Sequence, residues 1–453
     1  MDPLTRWDAC HRRPSSLTGI FLALALAATA GLHAQSAQTA PAAPAASSQA
    51  PPSLADYLKN PAGRGAHIFY IHGIGSDGPG DYDSWQLRRS ICQYVKDCLQ
   101  DAGTPAGPWQ YADQDDFQID APAPALAYMG ETVWKSQEEW RASAPYVVHF
   151  QLQRRHGPTI FVDELNWWPL IFSLKCRQIV ATDARLVGPN RTRIATCSTR
   201  TPGDIDLRFR SYDWIPAQEA AGLLQLPSRG ALINRSLKNG LLDWGFSDAV
   251  MALGPLRSYI LEGLQQLILK SVPQGPDGSP AVPADVEYVI VAHSLGSYLI
   301  FSALNSTDSS STSGQQSSNA FSQVLAHTPL VYFFANQLRL LELANLNPAT
   351  STNLVSRLEQ WGNLRCQYLR SQANAPPTCL EPRIVALNDA SDLLTWEIPE
   401  NLKSVQVQNL RVRNYTVKNA TRWFWLFENP TKAHDNYARK ERAIRAIVSS
   451  PAP

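Results

Sequence analysis

The segment at residues 286–304 constrains the fold more than any other part of the chain. A β-branched and aromatic run, 286–291, leads into the pentapeptide 292–296 (AHSLG), and an apolar stretch with helical spacing follows. A continuous apolar run is typical of a strand buried on both faces. A sharp turn from such a strand into a helix exposes one side chain, and small flanking residues avoid backbone clashes there. The pattern predicts Ser294 at that turn as a nucleophile; the alternative for the pentapeptide alone is a buried turn without chemistry.

A second buried strand is predicted at residues 66–71. It ends in the loop His72-Gly73-Ile74-Gly75. Acyl transfer passes through a tetrahedral oxyanion, and each backbone N–H aimed at that oxygen lowers the barrier by roughly 3 to 4 kcal/mol. We expect this to be the oxyanion loop, with Gly73 and Gly75 allowing close approach to substrate. The predicted N–H donors are Ile74 and Leu295, and the alternative is an ordinary glycine-rich turn.

The general base must come from the histidines that follow Ser294. The sequence has two of them, His327 and His434. His327 directly precedes the strand-like run 330–334, where a partly buried structural histidine is expected. His434 lies in a polar loop before the helical pattern 437–448, and a base must be on such a loop to reach both Ser294 and an acid. We therefore predict His434 as the base.

The acid should follow a strand between Ser294 and His434. The strand-like run 383–387 leads into a loop that contains Asp389 and Asp392. Aspartates in such loops also cap helices and shape turns. We assign catalysis to Asp392, because the apolar pair after it would anchor the loop beneath His434, and turn formation to Asp389. The residue types alone leave both open.

The order of oxyanion loop, Ser294, Asp392 and His434 resembles the α/β-hydrolase superfamily, in particular bacterial secreted esterases and lipases. The resemblance covers residues 61–448, with Ala292 where the family usually has glycine. It implies an α/β-hydrolase fold: a mostly parallel central sheet flanked by helices, with a large cap or lid inserted before the nucleophile strand.

The resemblance also implies a serine hydrolase that acts on carboxylic esters through an acyl-enzyme, with no metal or organic cofactor. Peptidases and acyltransferases share the same triad, so they are the alternatives within this chemistry. A different class of protein would be a hydrolase-like binding protein whose triad is blocked by the insertion. The expected partner is a small-molecule or lipid ester, and the oligomeric state is left open.

The N-terminus predicts export. Arg12 and Arg13 precede an apolar stretch from Leu17 to about Ala30, followed by small residues, so residues 1–34 are expected to be a signal peptide and the protein periplasmic or secreted. An uncleaved membrane anchor is the alternative. Residues 35–60 are predicted to be a disordered Ala/Pro/Ser linker, and 61–453 to form the hydrolase domain.

Cysteine content and charge exclude some other classes. Six cysteines follow the signal, and an even number in an exported chain suggests disulfides. Cys176 with Cys197 and Cys366 with Cys379 are favoured. Cys92 with Cys98 is disfavoured, because the first helix, predicted at 85–99, would place them on different faces. None has the spacing of a structural zinc site. A net charge of +1 with 17% charged residues argues against nucleic acid as a partner.

The remaining length predicts two insertions. Residues 108–242 are expected to contain the cap, and Trp167 and Trp168 within it are either plain core or part of an acyl pocket. An apolar lid face would contact a lipid interface transiently when open. The Ser-rich stretch 306–319 is expected to be a mobile loop, and residues 244–269 a helix that packs on the sheet.

Overall fold

The strands of the central sheet bring the predicted motifs to a common edge. The structure is a computed structural model, and it describes residues 53–59, 65–73, 84–99, 105–112, 144–169, 171, 246–254, 257–276, 279–305, 312–345, 354–372, 379, 382–398, 409–419, 433–434, 437 and 441–449. The strands are β1 (Gly65–Ile71), β2 (Gln110–Tyr111), β3 (Tyr146–Leu152), β4 (Ile160–Asn166), β5 (Val286–His293), β6 (Leu330–Phe334), β7 (Arg383–Asn388) and β8 (Arg411–Thr416).

In the described residues these strands form one eight-stranded sheet in the order β2-β3-β4-β1-β5-β6-β7-β8. The six strands from β4 to β8 along that order are parallel, while β3 is antiparallel to β4 and β2 to β3. The predicted α/β class with a mostly parallel sheet flanked by helices is therefore confirmed. Since β1 and β5 are neighbours, the loops that follow them meet at the carboxyl edge, where open α/β sheets bind ligands.

Helices cover both faces of the sheet. They are α1 (Leu54–Lys59), α2 (Trp85–Val95), α3 (Ser247–Leu253), α4 (Arg257–Ser271), α5 (Leu295–Leu304), α6 (Thr312–Ala326), α7 (Leu338–Leu341), α8 (Leu354–Ser371) and α9 (Glu441–Val448), with a 3-10 turn at Glu342–Asn345.

Alternate residues of each strand enter two separate hydrophobic cores. On β5, Tyr288, Ile290 and Ala292 pack with α4, α5, α6 and α8, whereas Val289 and Val291 pack with α1, α2 and α9. The run 286–291 is uninterrupted because both of its faces are buried, each under its own layer of helices. Burial on both sides fixes the register and hence where the strand ends.

The predicted linker extends too far. Residues 54–59 form α1, whose Leu54, Ala55 and Leu58 are buried in the second core. The hydroxyl of Tyr57 donates to Glu287 Oε2 at 2.5 Å. A disordered linker does not bury apolar side chains in this way, so the linker ends before Ser53. Residues 1–52 lie outside the described residues, as do the predicted signal peptide and the rest of the linker.

The predicted first helix is too long, and the pairing of Cys92 with Cys98 was wrongly disfavoured for the same reason. α2 ends at Val95, and Lys96 adopts a left-handed φ of 59°. The chain reverses there and brings Cys98 back to Cys92, where the two form a disulfide with a Cα–Cα distance of 5.4 Å. Cys366 and Cys379 are also disulfide-bonded, as favoured. Cys176 and Cys197 lie outside the described residues.

Two further predictions differ from the structure. Residues 312–319 of the predicted mobile loop belong to α6. The apolar second half of that helix packs on α8, and the preceding residues contain no proline, so the helix continues toward its N-terminus. Residues 306–311 lie outside the described part. The helix predicted at 244–269 is two helices in the described residues: α3, which ends before Gly254, and α4, which begins at Arg257.

The range predicted as cap also contributes to the sheet. Strands β2, β3 and β4 all lie within residues 108–242 and extend the sheet beyond β1. Antiparallel pairing of β3 with β4 buries Val147 and Leu165 in the first core. Residues 172–242 lie outside the described part, so the cap itself stays a prediction.

A buried charged cluster joins three of these strands. Asp163 on β4 is within 2.6 Å of His67 Nε2 on β1 and 2.9 Å of His149 Nδ1 on β3. Burial alone would raise the pKa of Asp163, but the charge of His67 and the hydrogen bonds from both rings hold that pKa well below its ordinary value. Burial lowers the pKa of His149, and the hydrogen bond and charge of Asp163 outweigh it, so the net shift is upward.

We expect Asp163→Asn to lower the free energy of unfolding by about 3 kcal/mol, because it removes the negative charge that pairs with His67 and His149 in the protein interior. The depressed pKa of Asp163 contributes stability above its unfolded pKa of about 3.9, and the raised pKa of His149 contributes below about 6.5. The loss should therefore be largest between these values and shrink as pH rises above them or falls below them. Urea unfolding of both proteins at several pH values measures this difference.

The exposed Asp285→Asn is the matched control and should change stability by less than about 0.5 kcal/mol at every pH. An equal loss from Asp163→Asn at pH 5.5 and pH 9 would contradict the assignment of these two shifts.

Candidate active site

The turn after β5 presents Ser294 in a strained backbone conformation. Its φ of 52° and ψ of −126° lie where side-chain-bearing residues are rare, at a cost of order 1 to 3 kcal/mol. The turn is bonded on both sides: the Ser294 N–H donates to Phe334 O at 2.8 Å, and the Ser294 carbonyl accepts from the Ser297 N–H at 3.0 Å. Neighbouring structure thus maintains the strained conformation.

Two glycines allow the backbone around Ser294 to approach closely. A Cβ on Gly296 would lie 2.4 Å from His72 O, and one on Gly73 would lie 2.8 Å from the Ser294 Cβ. Neither position has room for a side chain, because the first obstacle is backbone and the second is the serine itself. Glycine at 73 therefore lets the loop after β1 lie directly against Ser294.

The structure brings the three predicted side chains Ser294, Asp392 and His434 together. Ser294 Oγ is 2.7 Å from His434 Nε2, and His434 Nδ1 is 3.0 Å from each carboxylate oxygen of Asp392. All three residues are buried. A carboxylate only accepts hydrogen bonds, so the ring proton is on Nδ1 and the Nε2 lone pair faces the serine hydroxyl. This arrangement can remove a proton from Oγ.

The two aspartates of the loop after β7 make different contacts. Asp392 Oδ1 accepts the Leu394 N–H at 2.9 Å in addition to the His434 ring. Asp389 accepts the Ser391 N–H at 2.9 Å and the Asn419 N–H at 2.5 Å. The structure thus directs Asp392 at the imidazole and uses Asp389 to bond backbone.

The segment that carries His434 is bonded to the rest of the site. His293 Nε2 donates to the His434 carbonyl at 3.1 Å, and the Asn419 side-chain amide donates to Ala433 O at 3.1 Å. The Tyr437 hydroxyl accepts the Asp389 N–H. Burial and the two nearby aspartates raise the pKa of Tyr437 well above its ordinary range, so it remains neutral. These bonds connect the segment of His434 to the turn at Ser294 and to the loop after β7.

The loop after β1 is braced by an aromatic stack. The His72 ring stacks on Trp167 with centroids 5.2 Å apart, and the Trp167 indole N–H donates to His72 O at 3.1 Å. Burial lowers the pKa of His72 to about 4, so the ring is neutral near pH 7. Trp167 is fully buried. It is therefore core and at the same time a support for the predicted oxyanion loop.

The other predicted residues are placed as follows. Leu295 is the first residue of α5, where N–H groups have no partner within the helix. Gly73 lies against Ser294, whereas Ile74 and Gly75 lie outside the described residues. His327 precedes β6, at the edge opposite Ser294, and its Nδ1 donates to Val286 O at 2.9 Å. That histidine is structural, as expected.

Sequence reasoning missed Gln337 at this site. Its side-chain amide donates to Ser294 Oγ at 3.0 Å, and the residue is buried. One available signal was its position. Gln337 is a polar residue three places after the carboxyl end of β6, and β6 is the strand adjacent to β5.

Comparisons of the chain with protein-family models, with curated proteins and with solved structures find no match. Within the described ranges, no group of three or more His, Cys, Asp or Glu side chains is arranged to bind a metal ion. What the site can do is therefore inferred from its own geometry.

Proposed function

We propose that this protein is a serine hydrolase of the α/β-hydrolase fold that cleaves carboxylic esters. The observation that carries the proposal is the pair of contacts made by His434, 2.7 Å to Ser294 Oγ and 3.0 Å to Asp392. An imidazole bonded in this way by a buried carboxylate accepts a proton at Nε2 and is stabilised once protonated. The strained turn and the glycine-lined approach to Ser294 support the same reading.

In the proposed reaction His434 removes the Ser294 proton as Oγ attacks the ester carbonyl carbon. The C–O bond of the tetrahedral intermediate breaks, and the alcohol leaves with the proton from Nε2. A water molecule then gives its proton to His434 and attacks the acyl group, and Oγ recovers its proton as the acid departs. The Leu295 N–H is the proposed donor to the oxyanion from the described residues, with Ile74 as the second.

Export is part of the proposal. The disulfides Cys92–Cys98 and Cys366–Cys379 are typical of proteins that fold in oxidising compartments. None of the helices that the structure describes has the length and apolar character needed to cross a bilayer. We infer a periplasmic or secreted enzyme, with the signal peptide of residues 1–34 as the sequence basis.

A cap over the site also belongs to the proposal. Residues 172–242 carry recurrent apolar segments. In the proposal, such segments of the predicted cap line an acyl pocket. Relative rates on p-nitrophenyl esters of increasing chain length, and on emulsified triglyceride, measure the size of that pocket and separate a lipase from a short-chain esterase.

We expect a fluorophosphonate probe to label the folded protein at Ser294. Oγ displaces fluoride only when its proton is accepted by a neighbouring base, so labelling reports an activated nucleophile. Peptide mass spectrometry locates the adduct. Urea-unfolded protein should not be labelled, because the contact with His434 is lost.

Ser302→Ala is the matched control, since Ser302 is also buried on α5 but makes no contact with His434. Its labelling should equal that of the wild type. A folded wild-type protein that remains unlabelled would instead favour a hydrolase-like binding protein.

A further inference from the structure

The nucleophile oxygen has two hydrogen-bond partners in the described site. Ser294 Oγ lies 2.7 Å from His434 Nε2 and 3.0 Å from Gln337 Nε2. The exposed fraction of Gln337 is 3%. The described residues thus shield this contact from bulk solvent, and a hydrogen bond is stronger there than in water.

The proton positions in this chain of bonds follow from chemistry. The Asp392 carboxylate can only accept, so Nδ1 of His434 carries the ring proton and Nε2 must accept. The Ser294 hydroxyl supplies that proton, which leaves an Oγ lone pair to accept from the Gln337 N–H. The hydrogen bonds therefore run in one direction: the amide donates to the serine, the serine to the imidazole, and the imidazole to the carboxylate.

The backbone that carries Gln337 is fixed by its neighbours. Asn336 donates through its side-chain amide to Trp396 O at 2.7 Å and accepts the Leu338 N–H at 3.0 Å. Ala335 has a φ of 47°, and its N–H donates to Leu387 O at 3.1 Å. A donor held by such bonds needs little reorganisation when charge appears on its acceptor.

We propose that Gln337 is a catalytic residue of this site, in a role that rests on the serine hydrolase proposed above. Negative charge develops on Oγ as its proton moves to Nε2 and the bond to the acyl carbon forms. It develops again when that bond breaks in deacylation and Oγ takes the proton back. The Gln337 N–H stabilises Oγ at both steps and, in the resting enzyme, directs the hydroxyl proton toward His434.

The test is Gln337→Met, which keeps side-chain length and burial but removes the donor. We expect kcat/KM for a p-nitrophenyl ester, and the rate constant for fluorophosphonate labelling, each to fall about 10- to 100-fold. KM should change by less than about 2-fold, because the lost bond strengthens only in the transition state. Gln337→Asn keeps an amide that is too short to reach Oγ and should lose as much as Gln337→Met.

Gln337→Glu tests whether the side chain at position 337 lies next to the reacting groups. A carboxylate next to Ser294 favours the protonated form of His434, and the base works only when neutral. The acidic limb of the kcat/KM profile should therefore shift to higher pH in Gln337→Glu and stay in place in Gln337→Met. Because the variants are independent, a folding failure in one leaves the other as a test.

Two results would overturn the proposal for Gln337: labelling of folded Gln337→Met at the wild-type rate or faster, or an acidic limb that does not move in Gln337→Glu. Faster labelling would mean that the amide oxygen faces Oγ and withholds the hydroxyl proton from His434. Labelling of the wild-type protein at Ser294 distinguishes these results from a failure of the proposed hydrolase. If the protein is not a serine hydrolase, the wild type and every variant remain unlabelled.

Discussion

Ser294→Ala is expected to lower kcat/KM for ester hydrolysis by about 10⁴-fold or more. The variant lacks Oγ, which forms the acyl-enzyme in the proposed reaction and lies 2.7 Å from His434 Nε2. What remains is binding and the oxyanion donors, which accelerate the direct attack of water only weakly. Steady-state rates with p-nitrophenyl esters measure the loss, and fluorophosphonate labelling should vanish with them.

The backbone at this position provides a second measurement on the same residue. Because Ser294 has a φ of 52°, glycine relieves strain there that alanine retains. Ser294→Gly should therefore be as inactive as Ser294→Ala but more stable by about 1 kcal/mol. A Ser294→Ala protein that kept its activity would place the nucleophile elsewhere and would end the proposal.

Asp392→Asn is expected to lower kcat/KM by about 10⁴-fold while leaving the fold intact. The asparagine amide would donate to Nδ1 of His434, which now faces the carboxylate at 3.0 Å. The ring proton would then move to Nε2, directed at Ser294 Oγ, so the imidazole could no longer accept the serine proton. Steady-state kinetics with the ester substrate measure the rate, and thermal unfolding verifies the fold.

Asp389→Asn is the matched control from the same loop. Its carboxylate accepts the N–H groups of Ser391 and Asn419, whereas the imidazole is bonded by Asp392 and Ser294. We expect a loss of stability of about 1 to 2 kcal/mol from these buried bonds. The rate should fall by less than about 10-fold. A larger rate loss in Asp389→Asn than in Asp392→Asn would reverse the assignment of the acid.

Strain and close packing at the site have a common cause. Ser294 adopts its conformation because β5 is paired on both sides and α5 begins at once, so the turn has few residues in which to reverse direction. Gly296 and Gly73 fit into this crowded turn because they have no Cβ to clash with neighbouring atoms. A more relaxed turn would point Oγ away from His434. The cost in stability thus accompanies the backbone conformation that holds Oγ against His434.

Much of the fold could be predicted because its signals are local. The run 286–291 and the run 383–387 lie within β5 and β7, since continuous burial is visible in a few consecutive residues. The helix boundaries were less predictable. α2 is shorter than expected because Lys96 turns left-handed. α6 includes residues predicted as a loop, because packing on α8 outweighs its polar first half.

The sequence by itself determined the strand, turn and helix around Ser294 and the chain order of Ser294, Asp392 and His434. It also limited the base to two histidines and the acid to two aspartates. These features depend on residue type, spacing and order, which are properties of the chain before it folds.

Only the tertiary structure decided which groups touch Ser294 Oγ, including the amide of Gln337 forty-three positions later. It also decided that Trp167 supports the His72 loop and that Cys98 returns to Cys92. Contacts of this kind depend on strand order, on register and on the φ of single turn residues. Those are set by packing of the whole sheet, so no local pattern contains them.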